Sequence, residues 1–270
     1  MTDRLVSHQS STDGGGQVPG TSQAILRALS VLRALRTAAS EVGVADIARG
    51  VGLPTTTVHR ILRTLVSAGY VVQNPATERY HLGREAYLLG QAVAKSLGFD
   101  AALPLLEALS ADTGESVNLV VRDGDEGLVV LRIESSQPLR FTQPVGTRIP
   151  LYCTSSGKIL MAFGEDPEGD VRNLGALERF TSATVTSPAE LLDELHAIRQ
   201  RKYSVNRGER IAGVCGVAAP VLGSDNAVIA GLAVQGPELR IPAERIESLA
   251  QQVIAAAQAI AAALPVGYRI

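Results

Sequence analysis

The sequence predicts an α+β protein in two unequal parts: a small head of three helices and a β-hairpin, then a larger domain around an antiparallel sheet. Three observations carry that prediction. Apolar residues recur at helical spacing in three short segments before residue 70, and a hairpin pattern follows them. Beyond residue 100, five short apolar runs suited to strands are interspersed with helical stretches. The chain has 270 residues, and at about 100–200 residues per domain that is one large or two ordinary domains.

Residues 1–20 contain Ser10-Ser11, Gly14-Gly15-Gly16 and Pro19-Gly20 and can bury little, so they read as a flexible, disordered tail. From Ser22 onward Ile25, Leu29, Leu32 and Leu35 mark one face of a first helix. Val44 to Arg49 reads as a second helix with Ile47 and Ala48 inward, and Gly50-Val51-Gly52-Leu53 as a turn. Pro54 opens a third helix, where a missing amide costs nothing, with Val58, Ile61, Leu62 and Leu65 inside. Tyr70–Val72 and Arg79–Leu82 flank the polar tip Asn74-Pro75-Ala76-Thr77. Residues 21–82 thus read as a winged helix-turn-helix and 83–98 as a linker helix with Ala86, Leu89, Val93 and Leu97 on one face. Residues 99–270 form the second domain, in which 103–112, a segment from 187 to about 201, and 242–264 read as helices. Its strands are 117–121, 128–133, 203–206, 214–221 and 228–235. Ser187-Pro188-Ala189-Glu190 is a capping box with proline at the first helical position.

Composition excludes several classes. Hydrophobic residues make up 46% and charged residues 19%, which argues against wholesale disorder. Two cysteines, Cys153 and Cys215, exclude a disulfide scaffold and a Cys-rich zinc module, and they suit a cytoplasmic location. No window reaches 18 uninterrupted apolar residues, so no membrane association is expected, and the N-terminus lacks the apolar core of a signal peptide. Net charge is −2, but the distribution is uneven. Residues 21–95 carry nine Lys/Arg against four Asp/Glu, whereas 96–270 carry fifteen against twenty-one. A basic head on an acidic body suggests that only the head meets a polyanion.

In a winged helix-turn-helix the third helix enters the major groove by its N-terminal half. Here that half holds Thr55, Thr56, Thr57, His59 and Arg60, and Arg63 follows one turn on. With Val58, Ile61 and Leu62 inward, Thr55, Thr56, His59, Arg60 and Arg63 point outward. Thr hydroxyls suit phosphates or base edges, Thr methyls suit thymine methyls, and Arg can fork onto guanine O6 and N7. Asn74, Thr77 and Arg79 of the hairpin are placed to touch backbone or minor groove. Double-stranded DNA is therefore the expected partner.

The segment Gly52-Leu53-Pro54-Thr55-Thr56-Thr57-Val58-His59-Arg60-Ile61-Leu62 resembles the recognition helix of the isocitrate-lyase-regulator (IclR) family. The likeness continues through Leu65, Gly69-Tyr70, Arg79-Tyr80 and Leu82-Gly83. Further matches are Thr113-Gly114-Glu115-Ser116-Val117, Gly146-Thr147-Arg148-Ile149-Pro150-Leu151, Thr154-Ser155-Ser156-Gly157-Lys158 and Gly213-Val214-Cys215-Gly216-Val217-Ala218-Ala219-Pro220-Val221. The resemblance implies a transcription factor with a GAF-like effector domain, acting as a homodimer or homotetramer on a palindromic operator. It also implies an effector that is a small organic acid or aromatic catabolite, and no cofactor. By the same likeness Asn206, Gly213, Val214, Gly216, Ala233 and Gln235 face the ligand. Ala233 and Gln235 stand where many members carry small hydroxyl residues. A helix starting near Thr154 offers amides to a ligand carboxylate at Thr154, Ser155, Ser156 and Gly157.

Enzymatic readings are weaker. Ser155 and Lys158 satisfy the Ser-x-x-Lys pattern of serine acyl enzymes, which makes a serine hydrolase the alternative, but neither Ser-Asp-Asn nor Lys-Thr-Gly follows. Gly157-Lys158 lacks the upstream glycine and following hydroxyl of a phosphate loop. With four histidines, mostly outside the second domain, a zinc set or a Ser-His pair is not expected, and no metal is assigned.

Overall fold

A computed structural model describes residues 22–264 apart from residue 39, together with the side chains of all of these but residues 37 and 96. The expected tail over 1–20 lies outside the described residues. The chain divides into two compact units after Gly90.

The first unit holds helices α1 (Gln23–Thr37), α2 (Val44–Val51) and α3 (Thr55–Ser67) and strands β1 (Val71–Gln73) and β2 (Tyr80–Leu82). Its core is Val31 and Leu35 of α1, Ile47 and Ala48 of α2, Val58 and Leu62 of α3, with Val71 and Tyr80 from the hairpin. The inner face of α1 departs from the expected one: Ile25 and Leu29 are exposed and Val31 is buried. This helix has more apolar residues than one stripe can hold, so spacing alone does not choose the buried face. Gly52 ends α2 in the left-handed conformation, with φ of 64°, which only glycine adopts without strain. Pro54 stands one residue before the third helix, and its carbonyl accepts the Thr57 and Val58 amides at 2.9 and 3.1 Å. Helix α4 (Arg84–Ser96) follows the hairpin.

The second unit contains α5 (Phe99–Thr113), β3 (Ser116–Asp123), β4 (Glu126–Ile133), β5 (Arg148–Pro150), α6 (Ser155–Ala162), α7 (Pro167–Asn173), α8 (Pro188–Arg201), β6 (Ser204–Arg207), β7 (Val214–Leu222), β8 (Val228–Pro237) and α9 (Ala243–Ala263). The six strands form one antiparallel sheet in the order β5-β4-β3-β8-β7-β6. Strand β5 and helix α7 are additions to the sequence expectation. The architecture is α+β, as expected.

Side chains alternate across this sheet. Val117, Leu119, Cys215, Val217, Leu232 and Val234 pack on one face with residues of α5 and α9. On the other face Val120, Ala218 and Ala233 pack with α6 and α8. Ser187 caps α8 by accepting the Glu190 amide, with Pro188 at its first turn.

Candidate DNA-reading face and effector cavity

Helix α3 is amphipathic in the required sense. Val58 and Leu62 are fully buried, while Thr55, Thr56, His59, Arg60 and Arg63 are exposed and Thr57 is half-buried. Neither Arg60 nor Arg63 has an ion-pair partner among the described residues, so both guanidinium groups are available to an anion. The hairpin tip differs from this. Asn74 Nδ2 donates to Glu41 Oε1 at 2.7 Å, and Thr77 Oγ1 donates to Glu41 Oε2 at 2.7 Å. These two bonds hold the Glu41 carboxyl below its ordinary pKa. Arg79 lies 3.7 Å from Asp46 of α2. Residue 42 bridges Tyr80 through two backbone bonds of 2.9 Å.

In the second unit, register aligns a polar row on the α6 side of the sheet. Asn206 faces Gly216 across β6 and β7, and Gly216 faces Gln235 across β7 and β8. A Cβ on Gly216 would lie 2.8 Å from Ser155 Oγ and 3.3 Å from Gln235 Cγ, so glycine is required for α6 to approach this closely. The row and the α6 N-terminus border a partly open cavity of about 30 Å³. Thr154, Ser155, Asn206, Val214, Gly216 and Gln235 line it, joined by Phe141, Gln143, Arg210 and Ile211.

Four of the expected residues stand back from the cavity. Ser156 packs against Gly231. Gly157 is pressed against the Leu151 carbonyl, and its amide is taken by Thr154 Oγ1 at 3.2 Å. Gly213 shapes the backbone with φ of 77°. Ala233 is fully buried between Asn118 and Ala218 in the sheet register. The Phe141 and Gln143 wall escaped sequence reasoning because it lies in an irregular segment with no periodicity. Arg210 and Ile211 adjoin the Gly213 signature, so proximity in sequence was the signal that would have found them.

The polar chemistry of the cavity is incompletely satisfied. Ser155 Oγ is buried without a hydrogen-bond partner, and so is Asn118 Oδ1 nearby in the sheet. Asn118 Nδ2 donates to Gln143 Oε1 at 3.3 Å and to Gln235 Oε1 at 3.2 Å. Asn206 is fixed at both ends: it donates to the Cys153 carbonyl and accepts the Glu209 amide at 3.1 Å. Thr154 caps α6, and the first amides of the helix have no intrahelical acceptor.

The serine hydrolase alternative fails on this geometry. Lys158 is fully buried, with its Nζ 2.8 Å from Glu194 and 2.6 Å from Glu209. It is engaged by two carboxylates and makes no hydrogen bond to Ser155, whereas a general base must reach the proton it removes. Burial raises the Glu209 pKa against the opposing pull of Lys158. Burial also pushes the Cys153 and Cys215 thiols up to about 12 and about 11, which keeps both as unreactive thiols.

Comparison with known proteins agrees. Residues 24–75 match the IclR helix-turn-helix domain, and residues 91–262 match the bacterial transcriptional regulator IclR C-terminal domain. The chain is 34% identical over 247 residues to the HTH-type transcriptional regulator BhcR of Paracoccus denitrificans, covering 90% of this chain and 88% of that protein. It is 29% identical to the acetate operon repressor of Salmonella typhimurium, with 90% of each chain covered. A crystal structure of an IclR homolog complexed with 4-hydroxybenzoate, from Microbacterium hydrocarbonoxydans, superposes with a TM-score of 0.79 at 26% identity, covering 90% of this chain and 99% of that one. These relatives are transcriptional regulators, not enzymes. Among the described residues no helix is long and apolar enough to cross a membrane. With both halves of the chain matched in order, an exposed basic recognition helix and a sheet-backed cavity, the protein belongs to the IclR family of bacterial DNA-binding transcriptional regulators.

Proposed function

We propose that this regulator is a cytoplasmic repressor that binds a palindromic operator as a homodimer or homotetramer and releases or tightens its hold when a small organic acid enters the Ser155 cavity. Residues 21–82 read the DNA, 83–98 connect, and 99–270 sense the effector. The observation that carries the effector reading is the buried, unpartnered Ser155 hydroxyl beside the first turn of α6 and the Gly216–Gln235 row. A carboxylate there would accept from the hydroxyl, and Arg210 would add charge. The cavity of about 30 Å³ has room for two waters at roughly 10–15 Å³ each. Any acid larger than two waters therefore needs the Phe141–Gln143 wall to move, a short-chain acid less than an aromatic one.

The DNA reading rests on the exposed row Thr55, Thr56, His59, Arg60 and Arg63, with Thr57 at its edge. Arg79 of the hairpin adds a cation beside it. One such helix contacts too few bases for genomic specificity, and a two-fold dimer places two of them on half-sites. Exposed Ile25, Leu26 and Leu29 on α1, and Tyr87, Leu88, Leu89 and Val93 on α4, supply apolar surface for that assembly. The repressor assignment follows the Salmonella relative.

A melting screen tests the effector reading. Short-chain carboxylic acids and 4-hydroxybenzoate are added singly to the full chain. An acid that binds the folded state raises Tm, and the rise saturates with concentration. Loss of that rise in Gly216→Val assigns it to this cavity; an undiminished rise places the effector elsewhere.

A further inference from the structure

The polar tip of the hairpin is turned inward as well as outward. A two-stranded hairpin is marginal in water on its own, and here each strand has three residues. It is secured at four points to the segment between α1 and α2 and to α2 itself. Asn74 and Thr77 each donate to a different oxygen of Glu41, both at 2.7 Å. Residue 42 pairs with Tyr80, and Arg79 approaches Asp46. Asn74 also accepts the Ala76 amide at 2.9 Å through Oδ1, which fixes the turn itself. Glu41 is the hub of this arrangement, because its two carboxylate oxygens take both tip side chains.

An acid on a DNA-facing head is otherwise a liability. The field of the phosphates repels it, and its removal alone would tighten binding. The geometry points to a different role: Glu41 is a positioning residue that holds the hairpin at a fixed height beside α3, so that Asn74 and Thr77 orient the wing for DNA instead of contacting it. This inference rests on the DNA-binding reading of the first unit and refines it at two residues.

The test uses the full chain and a random-sequence 30-base-pair duplex, titrated over a series of salt concentrations. Non-specific binding suffices, because phosphate contacts set the salt slope whatever the sequence. Glu41→Ala is expected to weaken binding about 3- to 10-fold, and to make the slope of log K against log salt shallower by about one, the signature of one lost phosphate contact, that of Arg79, the cation the positioned hairpin carries. Glu41→Gln keeps an acceptor for Asn74 and offers a donor to the Thr77 oxygen, and it is expected to recover most of the loss. Asn74→Ala/Thr77→Val empties the same clamp from the other side and stands in should Glu41→Ala fail to fold. Placed in the Glu41→Ala background, that pair is expected to cost nothing further. Binding by Glu41→Ala as tight as wild type or tighter overturns the inference, and so does an additive loss in the combined variant, which would make Asn74 and Thr77 direct contacts. A wild-type chain that binds no duplex would instead refute the DNA reading on which the inference stands.

Discussion

Replacing Lys158 by methionine probes the most concentrated charge in the interior. Lys158 is fully buried and holds Glu209, itself only 7% exposed, at 2.6 Å. The second carboxylate, Glu194, is a quarter exposed along its side chain, so water can take over part of its solvation. Methionine fills nearly the same volume, so packing changes little. What changes is that Glu209 keeps its buried carboxyl and loses its cation. Removing one partner of a buried pair costs about 3–5 kcal/mol, whereas replacing both by apolar groups of similar size is often neutral. The raised pKa of Glu209 lets the orphaned carboxyl take up a proton as pH falls, which lessens the penalty in acid. Lys158→Met should therefore lose about 3–5 kcal/mol at neutral pH in urea unfolding, and about 2–4 °C of Tm per kcal/mol for a unit of this size. The loss should shrink toward lower pH. Lys158→Met/Glu209→Met should recover most of it. A single variant as stable as wild type, or a double variant no better than the single, would refute the reasoning.

Other outcomes follow from the same geometry. Arg60→Ala should cost about 1–3 kcal/mol of operator affinity if the guanidinium reads a guanine, with relaxed preference at one position in a binding-site selection. Leu62→Ala, in the centre of the head core, should cost about 2–5 kcal/mol in the unfolding of the first unit and abolish DNA binding. Analytical ultracentrifugation at micromolar concentration should show a dimer or tetramer, and Leu89→Glu/Val93→Glu on α4 should shift it toward monomer. Glu41 has a lowered folded-state pKa, so its support of the hairpin is complete above the ordinary carboxylate range and is lost as pH falls through the folded value. The protection against hydrogen exchange at the residue 42–Tyr80 bridge, taken relative to the intrinsic rate at each pH, should fall over that acid range and hold at neutral pH.

The regular elements were legible because their signals are local. Val58, Ile61 and Leu62 fix the face of α3, and Ser187-Pro188 fixes the start of α8. Strand β5 was hidden because three residues carry no detectable alternation, and it exists only by pairing with β4. The buried face of α1 was ambiguous because tertiary partners, not spacing, select Val31 over Ile25. Ser155 and Gly216 could be proposed for the cavity from the resemblance. Their contact could not, since it depends on β7 and α6 meeting across 61 positions of sequence. The Glu41 attachment to Asn74 and Thr77 left no trace in sequence, because a solvated acid and a polar turn look ordinary until folding brings them together.

The alternation along β7 and β8 through Cys215–Val217 and Val234–Gln235 has an evolutionary consequence. Cys215, Val217 and Val234 face the α5–α9 layer, while Gly216 and Gln235 face the cavity. The two sets are neighbours in the gene yet belong to different selective regimes. Drift at Val214 and Gln235, which line the cavity and are not close-packed glycines or core alanines, can retune what the protein senses without loosening the scaffold. A single-codon insertion has the opposite character: it exchanges the two sets and turns aliphatic side chains into the cavity. New chemical specificities in such a lineage should therefore arise by point substitution within these strands, and length changes should collect in the connections between them.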